Sequence, residues 1–377
     1  MKILLVIDSL GSGGAQRQIV NLAKGLKKNG HIVEIFIYDN SNNFFNDDII
    51  NSNIIIHYPR FEKKINKIKR SFMILRSLKL LLKDDFEHII SFLHIPSIYS
   101  SVLKTLFFRD IKLVVCERSS SDAPVNFWIK LLFYFACLVS NKVVSNSIKE
   151  KNNIKKRLGL SKKTTSIWNG YDIDTIMTKK KDSVCNNKTL TLIGRVSYPK
   201  NGVNLIKAML YLIKAMQLFQ KRNNWTPILN WVGRRDNDNN SLDMQYSIDK
   251  ILNNDVDISS NWNYLGEIKN IEEVLNKTDA IILPSIYEGL PNVVCESMFF
   301  GCCVIASDVS DIPMMLDNNR GILFNPNSPM SICLAIERFF TMDDSQKILM
   351  IKRAKKFAEL NFNIDSMVKS YEKILIN

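Results

Sequence analysis

Two glutamates, Glu288 and Glu296, stand with seven residues between them in YEGLPNVVCESMFFGCCVIAS, residues 287–307. Glu288 precedes a Gly-Leu-Pro corner and Glu296 follows it on the helix that the corner opens. A carboxylate in such a loop lies where ligands bind. One on the helix face can equally be a solvated or N–H-bonded acid, and spacing alone leaves both readings open. A second group is cationic. TLTLIGRVSYPKNG sets Arg195 just past a strand, Lys200 five residues on, and Gly202 at the start of a helix. Two cations in a strand-to-helix loop suit a diphosphate, because charge-assisted bonds to phosphate oxygens are strong. A third stretch, KILLVIDSLGSGGAQR, places Gly11, Gly13 and Gly14 between a strand and a helix, where backbone can approach a ligand closely. By itself that loop is weak evidence.

The elements around these residues follow from pattern. Ala280–Pro284 reads as a buried strand ended by proline. Pro291 suits the first turn of a helix over Asn292–Phe300, with Gly301 as its stop and Cys302–Ala306 as the next strand. In such strand–loop–helix–strand units the carboxyl edge of the sheet binds ligands, and the free N–H groups of the helix start suit anions. The same alternation fills both halves. Strands are expected at Lys2–Asp8, His31–Tyr38, Ile54–His57, His88–Leu93, Lys112–Cys116 and Lys142–Asn146. They resume at Leu190–Gly194, Pro227–Val232, Asn263–Leu265, Ala280–Leu283 and Val304–Ala306. The expected class is α/β, with two Rossmann-like, doubly wound parallel sheets. The domains are expected at 1–171 and 188–355, with a polar linker at 172–187 and a helix at 356–377 that crosses back to the first domain.

Composition narrows the function. The 377 residues are 46% hydrophobic and 23% charged, as in globular proteins, and hold no apolar run long enough to span a bilayer. The start MKILLVIDSL reads as a strand and not as a signal peptide. Seven cysteines without a C-x-x-C pair fit reduced thiols in a cytoplasm, and four scattered histidines suggest no metal cluster. Residues 1–170 carry 27 basic and 13 acidic side chains, an excess equal to the whole net charge of +14. That half should meet a polyanion or an anionic surface. Within it, Arg60–Lys83 repeats Ile65, Ile68, Phe72, Leu75, Leu78 and Leu82 at helical spacing among cations. Such a helix can lie on an anionic membrane, the favoured expectation, or pack on the sheet with a solvated basic face. Phe127–Val139 is too short to span and is expected to be a core helix, although an exposed edge could enter lipid.

Taken together, SLGSGGAQRQ, IWNGYDID, GRVSYPKNG and above all PSIYEGLPNVVCESMFFGCCVIASD resemble, in order, the motifs of glycosyltransferase family 4. These are retaining nucleotide-sugar transferases of the GT-B fold, in which two such domains face an interdomain cleft. SGGAQR with VVCERSS is most similar to bacterial transferases that build O-antigen, capsule or lipid-linked glycans. Two departures are Asp311, where a glycine is usual, and Asn201, which separates Lys200 from Gly202.

The resemblance implies roles. Glu296 would bind the nucleotide ribose and Glu288 would lie near the donor sugar. Gly289 and Leu290, ahead of Pro291 and Asn292, would offer backbone N–H groups to sugar hydroxyls and the β-phosphate. Arg195 and Lys200 would stabilise the departing diphosphate, Gly13 and Gly14 would approach it from the first domain, and Gly266–Ile268 would choose the base. His94, in SFLHIPS, would sit beside the donor sugar or else in the interdomain wall. Arg118, in CERSS, would hold an acceptor phosphate or form a structural ion pair.

No metal or other cofactor is expected, the two cations taking the place of a divalent ion. The strings Asp172–Asp174, Asp236–Asp238 and Asp255–Asp257 are read as non-functional. The implied partners are a UDP-linked hexose or N-acetylhexosamine, a lipid-linked glycan and the inner face of the cytoplasmic membrane, where the enzyme would be peripheral. A transferase with a soluble acceptor is the nearest rival. A nicotinamide-dependent oxidoreductase lacks G-x-G-x-x-G spacing, and nothing resembles a nucleic-acid recognition element.

Overall fold

The structure, a computed structural model, describes every residue except 42, 60–65, 173–186, 219–225, 269 and 377; the side chains of 216–218 also lie outside the description. Nearly all of the expected linker at 172–187 is thus outside it, as is Ile65. The chain divides into two units, Met1–Asp172 with Phe362–Asn377, and Ile173–Asn361.

The first unit carries β1 (Lys2–Val6), β2 (Ile32–Phe36), β3 (Ile55–His57), β4 (His88–Phe92), β5 (Lys112–Glu117), β6 (Lys142–Ser145) and β7 (Thr164–Ser166). They form one parallel sheet in the order β3-β2-β1-β4-β5-β6-β7. Its helices are α1 (Gly14–Lys28), α2 (Asn46–Ile50), α3 (Lys67–Leu81), α4 (His94–Leu106), α5 (Phe127–Val139) and α6 (Ile148–Leu158). Both sheet faces are covered, which is why the strands are continuously apolar rather than alternating. Ile3 and Leu5 pack with Ile19 and Leu22 of α1, while Leu4 and Val6 join Ile74 and Leu78 of α3 and Phe133 of α5.

The second unit has β8 (Thr189–Ile193), β9 (Ile228–Val232), β10 (Trp262–Gly266), β11 (Ala280–Leu283), β12 (Cys303–Ser307) and β13 (Ile322–Phe324). This sheet is also parallel, in the order β10-β9-β8-β11-β12-β13. Between them run α7 (Gly202–Leu218), α8 (Asn239–Asn254), α9 (Val256–Ser259), α10 (Ile271–Asn276), α11 (Asn292–Phe300) and α12 (Ile312–Leu316), and after them α13 (Pro329–Thr341) and α14 (Asp344–Asn361).

The end of the chain needs a correction. The single helix expected at 356–377 is two, because α14 continues to Asn361 and α15 (Ile364–Ile376) starts afresh. The break has a backbone cause. Tyr171 N–H donates to the Phe362 carbonyl at 2.8 Å and Ile364 N–H to the Tyr171 carbonyl at 3.0 Å, so this stretch forms a single parallel bridge with Tyr171 instead of continuing the helix. α15 then buries Met367, Val368, Tyr371 and Leu375 against the first unit's core, with Glu372 3.0 Å from His31.

One helix of the first unit also differs from expectation. Only Phe133, Ala136 and Cys137 of α5 are buried, so it is not a core helix; one face meets α4 and the sheet, and the other is open. α3 buries Ile74 and Leu78, with Leu82 just beyond its end also buried, but leaves the expected stripe residues Ile68 and Phe72 exposed.

The second sheet imposes one close approach on its carboxyl edge. At Gly233 the backbone φ is +149°, and an added Cβ would lie 2.1 Å from the Gly194 carbonyl oxygen, so no side chain fits between the ends of β8 and β9. Gly233→Ala is expected to destabilise the protein by about 2–3 kcal/mol, through backbone clash and strain. Chemical denaturation measures it; a loss below about 0.5 kcal/mol would show that the two strand ends move apart freely.

Candidate active site

In each sheet the order reverses between two neighbouring strands, and the loops leaving those strands diverge to form a crevice at the carboxyl edge. In the second unit the reversal lies between β8 and β11, so the loops bearing Arg195 and Lys200, and Glu288, come together. Lys200 Nζ donates to Glu288 Oε1 at 2.5 Å, and Ser285 Oγ donates to the same oxygen at 2.7 Å. Both ionic side chains are largely shielded, at 17% exposure each. Lys200 reaches this place by lying over Gly194, where a side chain would meet its Cε at 2.9 Å. An ammonium has three N–H donors, and Glu288 takes one.

Asn201 holds the loop that carries Lys200. It adopts a left-handed backbone (φ +56°), and its buried amide donates to the Pro284 carbonyl at 3.0 Å and the Pro326 carbonyl at 2.7 Å. The residue that departs from the family pattern thus ties three loops together. Arg195 is turned to Asp236, Nη1 to Oδ2 at 2.7 Å, with its side chain 60% exposed. Asp238 accepts from the N–H of Ser241 at the start of α8, and Asp255 from that of Ile258 in α9, so these Asp-x-Asp residues hold helix ends and ion pairs.

Beyond Glu288 the corner closes as its sequence directs. Leu290 is buried, Pro291 precedes the first residue of α11, Asn292, and Ser310 Oγ donates to the Gly289 carbonyl. Glu296 lies half-buried on α11, one turn past Asn292. Gly266 ends β10 with φ +70°, and its carbonyl accepts from Gly233 N–H at 2.8 Å, which places it beside the end of β9. Asp311 is buried immediately before α12.

The first unit repeats the arrangement. Its reversal lies between β1 and β4, so Gly13 and Gly14 at the start of α1 and His94 at the start of α4 share one edge. Leu93, between β4 and His94, has φ +75° and ψ 167°, a region that side chains other than glycine rarely enter. Strain of this kind marks a place where the surroundings over-determine the backbone.

His94 Nε2 donates to Glu117 Oε2 at 2.8 Å, and the imidazole packs 4.4 Å from the Phe133 ring of α5. The other carboxylate oxygen of Glu117 accepts from Arg118 N–H and Ser119 N–H, both at 2.9 Å, and from Ser119 Oγ at 2.6 Å. Burial pulls the His94 pKa down, but its hydrogen bond and charge interaction with Glu117 outweigh it and leave the imidazole above its ordinary value. Burial likewise pushes Glu117 up, yet His94 and Ser119 hold it below the usual carboxylate range.

Arg118 lies inside the first unit. Its guanidinium is buried, donates to Asn169 Oδ1 at 3.0 Å and to the Tyr371 hydroxyl, and stacks 4.0 Å from Phe92. Among the described residues these partners are neutral core groups, and the guanidinium Nε is buried without a hydrogen-bond partner. Glu117, Asn201, Asp236 and Ser285 are the positioning residues that sequence reasoning missed. Asn201 stood out only as a departure from the family pattern and Asp236 only within an Asp-x-Asp string, while Glu117 ends an apolar strand.

Two parallel, doubly wound domains in one chain are the architecture of the GT-B class of transferases. Residues 12–175 match the family described as Glycosyltransferase Family 4, and residues 187–342 that described as Glycosyl transferases group 1; the chain belongs to these glycosyltransferases. It is 24% identical, over 100% of its length and 98% of the relative's, to a Campylobacter jejuni protein. That protein is named as the GalNAc-alpha-(1->4)-GalNAc-alpha-(1->3)-diNAcBac-PP-undecaprenol alpha-1,4-N-acetyl-D-galactosaminyltransferase. It is also 24% identical to an Escherichia coli UDP-Gal:alpha-D-GlcNAc-diphosphoundecaprenol alpha-1,3-galactosyltransferase, over 84% of this chain and 81% of that one. Among solved structures, Anabaena HepE in complex with UDP superposes with a TM-score of 0.79 at 16% identity, covering 100% of both chains.

Two outcomes follow from the His94 surroundings. Because its folded pKa is raised, the stability that His94 gains from Glu117 is complete below the ordinary imidazole value, about 6.5, and is lost as pH rises through the folded value. Denaturation at stepped pH should therefore show wild type losing stability relative to His94→Gln above about pH 6.5, and a constant difference would mean the pair is uncharged. Leu93→Gly is expected to stabilise the protein by about 1 kcal/mol by releasing strain, against the entropy glycine loses on folding. An unfolding midpoint lower than wild type would show that the Leu93 side chain matters more than its backbone.

Proposed function

We propose that this glycosyltransferase is a retaining enzyme. It would move a hexose or N-acetylhexosamine from a UDP-linked donor to a lipid-linked saccharide in the synthesis of a bacterial surface polysaccharide. The observation that carries the reading is the Lys200–Glu288 pair at the β8/β11 switch point, with Glu296 on the helix that follows. The donor's ribose falls to Glu296 and its sugar to Glu288, and the diphosphate to the N–H groups of Gly289 and Leu290 and to Lys200 and Arg195. Gly13, Gly14 and His94 are given a donor role by the family resemblance alone. Two relatives named for diphospho-undecaprenol substrates support the acceptor class, and HepE, solved with UDP, supports the base.

In the reaction an acceptor hydroxyl oxygen bonds to the anomeric carbon on the face that the diphosphate leaves. The bond from that carbon to the phosphate oxygen breaks, and the departing β-phosphate takes the hydroxyl proton. Charge grows on the diphosphate, so fixed cations act most strongly in the transition state. Lys200 and Arg195 supply that stabilisation without a divalent ion. Among the described residues no helix is long and apolar enough to cross a membrane, and the enzyme would meet its lipid-linked acceptor as a peripheral protein on the inner membrane face. The rival reading, a soluble acceptor, separates in the acceptor assay.

Calorimetric titration of UDP and of GDP in the presence of a chelator tests the donor site. UDP is expected to bind wild type, and Glu296→Ala to weaken it by roughly 1–3 kcal/mol. Preference for GDP would change the base, and an affinity indifferent to Glu296 would remove the ribose assignment.

A further inference from the structure

The open face of α5 is the largest unexplained feature of the first unit. Phe127, Trp128, Leu131, Leu132, Phe135 and Leu138 are 39–69% exposed. At roughly 100° per residue they fall within an arc of about 140°, a continuous apolar stripe along the whole helix. Phe127 and Trp128 meet edge to face at 5.5 Å at its start, where Asn126 caps the helix. A stripe of this kind on a soluble surface marks a contact with another apolar phase.

Charge selects the phase. From Ala123 to Lys149 the sequence holds Lys130, Lys142 and Lys149 and no Asp or Glu. Lys163 Nζ donates to the carbonyls of Leu138 at 2.7 Å and Ser140 at 2.9 Å, and Arg157 donates to the Tyr134 hydroxyl at 3.1 Å, so cations flank the helix. The carboxylates flanking this stretch in sequence are committed: Glu117 is buried on His94, Asp122 pairs with Lys149 at 2.8 Å, and Glu150 is buried. An apolar stripe with aromatic residues at one end and a cationic rim matches the acyl–headgroup boundary of an anionic bilayer. A two-fold dimer through the same face would set each cationic rim near its own copy, which is unfavourable. At 13 residues the helix is too short to span and would lie in the membrane plane.

We propose that the outer face of α5, rather than the basic helix α3, inserts into an anionic lipid surface. The proposal rests on the lipid-linked-acceptor reading for its purpose but not for its test. The inner face of the same helix places Phe133 against His94. A helix seated in lipid would thus set the His94 edge of the first unit at the membrane, where a lipid-anchored acceptor lies.

Flotation of the full chain with vesicles decides it. Wild type should float with mixed phosphatidylglycerol and phosphatidylcholine and weakly with phosphatidylcholine alone. Phe127→Ser/Trp128→Ser/Leu131→Ser should reduce partitioning at least roughly tenfold, and Ile68→Ser/Phe72→Ser on α3 less than about threefold. Brominated lipids should quench tryptophan emission in wild type, and Trp128→Phe should remove that quenching. A triple variant that floats like wild type, or a wild type that ignores the mixed vesicles, overturns the proposal. So does a wild-type dimer in sedimentation velocity that the triple variant dissolves, which would give the face to a second copy. UDP titration of the triple variant should match wild type, confirming its fold. Failure of wild type to bind UDP would sink the donor reading and leave the vesicle result standing.

Discussion

The chemistry of this chain depends on a topological constraint: in a parallel sheet every strand ends at the same edge, and a crevice opens where the strand order reverses. Residues 88 positions apart, Lys200 and Glu288, meet because β8 and β11 are neighbours whose outgoing loops diverge. In the other unit the same constraint brings Gly13, Gly14 and His94 to the β1/β4 edge. Everything else in each unit serves to keep those edges fixed. The two-faced burial of the strands, the close backbone approach at Gly233 and the Asn201 amide that ties three loops act to that end.

The two acid–base pairs at these edges are built differently, and the difference bears on what each does. Lys200 and Glu288 keep a sixth of their side-chain surface in contact with solvent, and the lysine retains donors beyond the pair. That is a cation that can turn to a phosphate without leaving a buried carboxylate unsatisfied, since Ser285 also donates to Glu288. Glu117 has no such freedom. It is buried and accepts four hydrogen bonds, so losing His94 would leave a carboxylate oxygen unpaired in the interior, which is costly. Glu117 therefore acts on His94 as an orienting group, fixing its ring and favouring its charged form, while Leu93 fixes the backbone from which it projects.

Alternation of apolar runs with helical stretches made the α/β class and most strands legible, and the boundaries of α11 follow from Pro291 and Gly301. The loop residues of the second unit were legible because short-range chemistry places them: two cations after one strand and an acid after another. What was not legible has physical reasons. β7 and β13 are three residues each, and neither is a continuous buried apolar run: β7 is Thr-Thr-Ser, and in β13 the middle residue faces solvent. Asp236 and Asn201 act through partners far away in sequence, and a polar loop residue gives no sign of which distant loop it will reach. The enclosure of Arg118 was hidden for the same reason. Its partners Asn169 and Tyr371 come from the end of the first sheet and from a helix near the chain's end, and only the folded unit shows that the cation is enclosed.

The apolar helix α5 shows the limit of composition most clearly. Its sequence, FWIKLLFYFACLV, has the apolar content of a buried helix, and hydrophobicity alone cannot separate burial in protein from burial in something else. What separates them is the number of neighbours the topology supplies. A helix in the outer layer of a doubly wound sheet has the sheet below and helices beside it, but nothing above. The basic helix α3 meets the same sheet through Ile74 and Leu78, and its exposed apolar residues, Ile68, Phe72 and Leu80, stand among cations that make it conspicuous in sequence. α3 thus combines cations with scattered exposed apolar residues, whereas α5 carries a continuous apolar stripe, and a membrane would use the two differently: diffuse attraction from the one, insertion from the other. Because the inserted helix is also the one that packs on His94, the depth at which it settles sets the height of that edge above the lipid headgroups.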